Sequence, residues 1–273
     1  MFIVAPSDYT ESLHRLVDAA IEGGCDAIQL RARHISPSDM RDTATELRRV
    51  VDHRATLIVN NYPALAADLG LGLHLPETGV AIAEARRQVG STTMIGRSVH
   101  SPAAATAATG ADYLLAGHVY ATRSKPGLAP LGLPGFRRIM ESTWQPVLAV
   151  GGITAERIPS VVESGAAGIA VVSAIAQAAN PQAAAAALRS ALDGVLPRED
   201  QVAASTTVSL LVNGSPVTIE AESTITDFLA DRGLAGRMVV VELNGQVIAR
   251  RAFDDVVLND GDRVEVVHAV GGG

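Results

Sequence analysis

The stretch VLAVGGITAERIPSVVESGAAGIAVVSAI, residues 147–175, decides the fold. It contains two short apolar runs, Val147–Val150 and Gly168–Val172, with a longer amphipathic segment between them. Apolar runs of this length predict buried strands, and the segment between them predicts a crossover helix. The stretch is therefore one unit of a parallel sheet that has helices packed against it.

The same alternation fills the chain from its first residues to about residue 195. Eight such units in fewer than 200 residues predict a compact (β/α)8 TIM barrel of the α/β class, because eight strands close a sheet on itself. An open doubly wound sheet is the alternative. The predicted strands are Phe2–Ala5, Ala27–Leu30, Thr56–Asn60, Gly72–Leu75, Met94–Gly96, Tyr113–Ala116, Val147–Val150 and Gly168–Val172.

A second, smaller domain is predicted after the barrel, which we place at residues 1–196. Residues 197–205 are polar or small and indicate a linker, and the second domain then covers 206–273. The turn Asn213-Gly214 joins two apolar runs and predicts a hairpin. Ile225–Arg232 predicts a helix, and further strands are expected near Val239–Leu243 and Arg263–Val267. These elements make a small α+β fold.

Composition excludes several kinds of partner. The formal net charge is −7, whereas nucleic acids and anionic membranes are bound by clustered Lys and Arg. The start, MFIVAP, reads as a first strand and not as a secretory leader, and the nearly apolar Ala166–Ala179 is too short to span a bilayer. The lone Cys25 is expected to be a small buried hydrophobe. We therefore expect a cytoplasmic protein without nucleic-acid or membrane partners.

A phosphate site is predicted at the ends of strands seven and eight. Gly151-Gly152 follows the seventh strand, and Val172-Ser173 ends the eighth. Barrels often bind phosphate at these two loops, where glycines let backbone N–H groups approach an anion. Ser98, at the end of strand five, is a further candidate donor to a phosphate or substrate.

His118 is the candidate acid/base group, because it follows strand six in a loop that also carries hydroxyls and Lys125. An imidazole can accept and return a proton near neutral pH. His34, His53 and His100 are expected to be solvated or packed. No spacing of His, Cys and Asp resembles a metal site, so we expect neither a metal nor a cofactor.

Across roughly residues 1–195 the chain resembles the thiamin phosphate synthase superfamily. Within it, the sequence is most similar to the TenI branch, the aromatizing thiazole tautomerases, through Ile95–Ser101 and Gly117–Tyr120. The wider resemblance also runs through Gln29–Arg31, Ile58–Asn60, His74-Leu75, Gly117–Lys125, Gly151–Ile153 and Gly168–Ile175.

Departures from the synthase pattern favour the tautomerase. In synthases two acids hold the magnesium of a pyrophosphate substrate, and Asn61 and the stretch Pro76–Gly79 stand at those places here. The resemblance implies an isomerase, in which His118 carries the proton of a phosphorylated thiazole. Two alternatives stay open: a thiamin phosphate synthase, which is a transferase, and a catalytically inactive scaffold. The implied substrate-binding residues are Arg31, Asn60, Ser98, Thr122, Lys125, Gly151, Gly152, Val172 and Ser173.

Residues 206–273 resemble ThiS, the sulfur carrier of thiazole biosynthesis, which has a β-grasp (ubiquitin-like) fold. The markers include Asn213-Gly214, Glu242–Gly245, Leu258–Glu265 and the final Gly272-Gly273. The resemblance implies that Gly273 is adenylated by a ThiF-like activating enzyme, becomes a thiocarboxylate, and delivers sulfur to a ThiG-like thiazole synthase. The oligomeric state stays open, with a homo-oligomer as one possibility.

Overall fold

The computed structural model describes residues 1–5, 13–32, 35–122, 124–143, 145–195, 207–234 and 239–268. The chain separates into two compact units, Met1–Leu196 and Pro197–Gly273. The predicted linker, 197–205, lies outside the described residues. In the part of the chain that is described, no helix is both long and apolar enough to cross a membrane.

Eight parallel strands form the sheet of the first unit, in the spatial order of the sequence. Backbone hydrogen bonds join its two ends, because Ile3 N donates to Val171 O at 2.9 Å and Val171 N donates to Met1 O at 3.1 Å. The (β/α)8 barrel is thereby confirmed, and the doubly wound alternative is wrong. The strands are β1 Phe2–Val4, β2 Ala27–Leu30, β3 Thr56–Asn60, β4 Gly72–Leu75, β5 Ile95–Val99, β6 Tyr113–Gly117, β7 Val147–Val150 and β8 Gly168–Ala170.

Helices surround the barrel, and their apolar faces explain their positions. The buried residues of the first helix are Leu13, Leu16, Val17, Ala20 and Ile21, the spacing of one helical face. Local caps fix several starts, as where the Ser101 side chain accepts from Ala104 N at 3.2 Å. The helices are α1 Leu13–Glu22, α2 Pro37–Val51, α3 Pro63–Leu69, α4 Ile82–Val89, α5 Pro102–Ala107, α6 Gly132–Met140, α7 Ile158–Val162, α8 Ser173–Ala176 and α9 Pro181–Asp193.

Among its described residues, the second unit has one α-helix and a five-stranded sheet, whose strands, numbered along the chain within this unit, lie in the order second, first, fifth, third, fourth. The predicted hairpin forms through Asn213 and Gly214, which both have positive φ. The helix buries Ile225, Phe228 and Leu229 in the core of this unit. A small β-grasp domain is therefore confirmed. Its elements are β9 Thr207–Val212, β10 Ser215–Glu220, α10 Ile225–Asp231, β11 Val239–Leu243, β12 Gln246–Ile248 and β13 Arg263–His268.

Candidate functional site

A cavity of about 610 Å³ lies at the carboxyl ends of the barrel strands, where TIM barrels place their chemistry. Its size suits a small-molecule ligand. All the barrel residues that the sequence predicts for the site border it. They are Arg31, Asn60, Ser98, His118, Thr122, Lys125, Gly151, Gly152, Val172 and Ser173.

The loop after β6 is fastened to the glycine loop after β7. Val119 N donates to Val150 O at 2.9 Å, and Tyr120 N donates to Gly151 O at 3.0 Å. Gly152 has a φ of +66°, and a Cβ there would lie 2.7 Å from the carbonyl oxygen of Ala121. Only glycine combines this backbone conformation with this approach. The two loops therefore form one wall of the cavity.

The loop after β8 contributes the second part of the predicted phosphate site. Val172 precedes the first residue of α8, Ser173, and provides no side-chain cap. The N–H groups of a first helical turn have no partner within their helix. The N–H group of Ser173 begins such a turn and therefore suits a ligand oxygen. The helix α8 has only four residues, so it does not have the dipole of a long helix. An anion at this loop would therefore be bound by backbone N–H groups.

His118 borders the cavity but is almost buried, with an exposed fraction of 6%. Its Nε2 lies 3.2 Å from the carbonyl oxygen of Leu128 and donates to it. The main-chain oxygen of His118 accepts from Leu131 N at 2.9 Å. The side chain and the backbone of this residue thus both hold the segment that leads from β6 to α6.

A second histidine, His74 on β4, is buried in the barrel interior beneath Ser98. Its Nε2 lies 2.8 Å from Ser98 Oγ, and its Nδ1 lies 3.1 Å from Tyr113 Oη. Burial, together with the positive charges of Arg31 and Arg97, lowers the pKa of His74 to about 3. The imidazole is therefore neutral at ordinary pH, and it holds the Ser98 hydroxyl at the cavity.

Tyr113 extends this chain of hydrogen bonds away from the candidate site. Burial raises the pKa of its phenol, so the hydroxyl keeps its hydrogen. Tyr113 also borders a second cavity, of about 560 Å³, among the amino-terminal ends of the strands. Cys25 borders that cavity too and is half-buried, and burial raises the pKa of its thiol. That end of a TIM barrel contributes stability rather than chemistry.

The sequence interpretation missed a charged network at the rim of the cavity. His100 Nδ1 contacts the Glu77 carboxylate, and His100 Nε2 lies 3.1 Å from Lys125 Nζ. His100 was expected to be solvated or packed, yet it borders the cavity directly after β5. The rule that barrel chemistry sits at strand ends would have found both His100 and Glu77. His53 is exposed as predicted, and His34 lies outside the described residues.

Gln29 was also missed as a site residue. Its Nε2 donates to Asn60 Oδ1 at 3.2 Å. Its Oε1 is buried and finds no hydrogen-bond partner within the described residues. A buried acceptor without a donor is costly, and Gln29 borders the cavity. An N–H group on a bound ligand would satisfy it.

The residues present do not fit the magnesium site of the resembling synthases. Mg²⁺ is bound through one or two carboxylates plus the substrate phosphates. Asn61 provides an amide and Gly79 provides no side chain. Glu77 is the single acid among the described residues that border the cavity, and His100 contacts its carboxylate. In the described part of the chain, no three His, Cys, Asp or Glu residues form a group that could hold a metal.

The predicted sulfur-carrier residues, Gly272 and Gly273, lie outside the described residues, so their role stays a prediction.

Comparison with known families matches both units. The profile of the family described as thiamine monophosphate synthase matches residues 1–175. The profile of the ThiS family matches residues 210–273. The second unit is therefore a ThiS domain, and the chain is a fusion of two domains of thiamine biosynthesis.

Individual relatives of the barrel are named as synthases. The thiamine-phosphate synthase of Natronomonas pharaonis is 38% identical over 206 residues, which cover 72% of this chain and 96% of that protein. That of Chloroflexus aurantiacus is 40% identical over 183 residues, covering 64% and 84%. The structure of thiamine phosphate pyrophosphorylase from Pyrococcus furiosus is similar, with a TM-score of 0.64 at 31% identity over 71% of this chain and 96% of that one.

These relatives make the isomerase prediction wrong, because a synthase is a transferase. The prediction depended on Ile95–Ser101, on the loop around His118 and on the absence of the two magnesium-binding acids at Asn61 and Pro76–Gly79. The acid/base role of His118 itself stays a prediction, and in the structure its Nε2 donates to the carbonyl oxygen of Leu128. A histidine at the end of a barrel strand is therefore not sufficient to assign a tautomerase.

Proposed function

Because the chain belongs to the thiamine monophosphate synthase family, we propose that its barrel is a transferase which joins a pyrimidine diphosphate to a thiazole phosphate. In this reaction the bond from the pyrimidine methylene carbon to the diphosphate oxygen breaks. The thiazole nitrogen bonds to that carbon, and diphosphate leaves. The observation that carries the proposal is the gathering of anion-binding and polar residues around one cavity at the carboxyl ends of the strands.

Two groups of residues on the cavity wall suit the two phosphorylated substrates. Gly152 and Ser173 offer backbone N–H groups to one phosphate. Arg31 and Lys125 border the same cavity and offer positive charge to the diphosphate. Each substrate then places its phosphoryl group at one of these positions and its ring in the cavity between them.

The floor of the cavity supports an aromatic ring that carries an N–H group. Gln29 Oε1 is the buried acceptor without a described partner. Asn60 accepts from Gln29 through Oδ1, so its own amide hydrogens remain as donors. An acceptor beside a donor matches a heterocycle that presents one N–H group and one ring nitrogen, as an aminopyrimidine does.

Direct assay tests the transferase. The purified full chain is incubated with the pyrimidine diphosphate and the thiazole phosphate, with and without magnesium, and thiamine phosphate is measured by mass spectrometry. We expect product that increases with enzyme concentration. No product under either condition, from a folded protein, contradicts the transferase.

For the ThiS domain we propose sulfur transfer through the carboxyl group of Gly273. A ThiF-like enzyme adenylates this group, a sulfur donor converts it to a thiocarboxylate, and a ThiG-like thiazole synthase receives the sulfur. A tail of glycines suits this role because its backbone can enter a narrow active site. Fusion to the barrel keeps two activities of one pathway at a high effective concentration.

Intact-protein mass spectrometry tests this second proposal. With a competent activating enzyme and a sulfur donor, the chain should gain about 16 Da as sulfur replaces oxygen and a reactive thiocarboxylate forms. A variant extended beyond Gly273 should gain nothing. Equal loading of both proteins contradicts the proposal, as does the absence of loading in the unmodified chain.

A further inference from the structure

We propose that the barrel site balances the phosphoryl charge of its ligand with Lys125, positioned by His100 and Glu77, and not with a divalent cation. The inference rests on the proposed function for the nature of the ligand, a diphosphate.

Acids are scarce on the described wall of the cavity. Glu77 is the single acid on its described wall. A hard cation that used Glu77 would have to displace the contact with His100 Nδ1. No second carboxylate borders the cavity among the described residues, whereas such a cation prefers carboxylates.

The hydrogen bonds through His100 run in one direction. An ammonium group has only donors, so Lys125 donates to His100 Nε2 across 3.1 Å. The ring hydrogen is then on Nδ1, which donates to the Glu77 carboxylate. His100 therefore connects Glu77 to Lys125, which borders the cavity.

Glu77 is anchored through its backbone. The guanidinium of Arg97 on β5 donates to the carbonyl oxygens of Glu77 at 2.8 Å and Val80 at 2.7 Å. The loop after β4 is thus tied to the next strand through its backbone. A fixed Glu77 orients His100, and a fixed His100 orients Lys125. A lysine whose side chain is already ordered loses less entropy when it binds an anion.

Calorimetry with inorganic pyrophosphate as the probe tests the proposal on the full chain. Titrations are made in buffer with a chelator and in buffer with magnesium. We expect binding in both, with dissociation constants that agree within about threefold, since the positive charge comes from the protein. Binding that appears only with magnesium overturns the proposal.

Variants of the network separate positioning from general stability. Lys125→Ala should weaken pyrophosphate binding by about tenfold to a hundredfold, the range for a lost charge-assisted hydrogen bond. His100→Leu cannot accept from Lys125 and should weaken binding by about tenfold. His100→Gln keeps an acceptor and a donor and should restore most of the affinity. Equal affinities of the His100→Leu protein and the unaltered chain refute the positioning role.

A matched control exists on the outside of the barrel. His14 on α1 pairs with Glu46 at 3.1 Å, a contact of the same kind as that of His100 with Glu77. His14→Leu removes it far from the cavity walls and should leave pyrophosphate affinity unchanged. Circular dichroism checks that each variant folds. The comparison with and without magnesium is made on the unaltered chain, so it does not depend on the folding of any variant.

Different outcomes indicate failure of this proposal and failure of the proposed transferase. If pyrophosphate binds without magnesium and responds to His100→Leu while no thiamine phosphate forms, the charge network stands and the reaction assignment is wrong. If thiamine phosphate forms only with magnesium, the transferase stands and the network proposal is wrong.

Discussion

Gly152→Ala tests the idea that the glycine loop after β7 forms the phosphate site by lying against the loop after β6. The added Cβ would lie 2.7 Å from Ala121 O and 2.8 Å from Tyr120 Cβ. Real Cβ atoms do not approach other atoms so closely, so the two loops must separate. Their separation weakens the bond from Tyr120 N to Gly151 O and moves the N–H groups that face the cavity.

The expected magnitude has two parts. A non-glycine residue in the left-handed region costs about 1–2 kcal/mol. Overpacking of a rigid contact costs about 1–3 kcal/mol more. We therefore expect Gly152→Ala to lower the free energy of unfolding by about 2–5 kcal/mol. Affinity for inorganic phosphate should fall at least about tenfold, since one charged hydrogen bond is worth that much.

Gly70→Ala is the matched control for this prediction. Gly70 has a φ of +63°, against +66° for Gly152, and a Cβ there would meet nothing within 4 Å. Its substitution should cost only the backbone term and leave phosphate affinity unchanged. Urea unfolding followed by far-ultraviolet circular dichroism measures the loss of stability. Equal destabilisation by the two variants, with equal phosphate affinity, would refute the reasoning.

Three further predictions concern buried or capping groups. His74 has a pKa of about 3 in the folded chain, so it stays neutral there, whereas in the unfolded chain it takes up a proton below about pH 6.5. The free energy of unfolding therefore falls as the pH decreases from about 6.5 towards 3. Between pH 7 and 5 the unaltered chain should lose about 2 kcal/mol more than His74→Gln in urea unfolding, and equal losses would contradict this. Gln145→Leu removes the donor to Ala108 O and Ala111 O at 2.9 and 2.7 Å and should cost about 2–4 kcal/mol in the same assay; a cost below about 1 kcal/mol would argue against it. Thr224→Ala removes the cap of α10 and should cost about 1 kcal/mol, read as faster hydrogen exchange in that helix, whereas unchanged exchange would count against the cap.

Much of the fold could be predicted because apolar runs and turns act locally. Every predicted barrel strand overlaps an observed one, and β2, β3, β4 and β7 agree at both ends. The largest difference is β5, predicted to end at Gly96 and observed to end at Val99. Arg97 and Ser98 are polar, so the apolar pattern ends at Gly96 although the strand continues. The hydrogen-bond partners of these residues lie on neighbouring strands, which the local sequence does not indicate.

The site could be predicted only in part. Strand-end residues such as Arg31 and Lys125 border the cavity as expected, because barrel topology brings such positions together. The contact of His100 with Glu77 joins residues from different loops and leaves no local pattern. Gln29 Oε1 has no donor within hydrogen-bonding distance among the described residues. This depends on the three-dimensional surroundings of Gln29, which no spacing in the sequence can indicate.

The hydrogen bonds that join Tyr113, His74 and Ser98 can all run in one direction or all in the other. A neutral imidazole carries one hydrogen. When that hydrogen is on Nε2, His74 donates to Ser98 and accepts from Tyr113, so the serine hydroxyl can donate to a ligand. When it is on Nδ1, every bond reverses and Ser98 can only accept. A ligand that needs a donor at Ser98 therefore selects one tautomer, and with it the orientation of a phenol at the opposite end of the barrel.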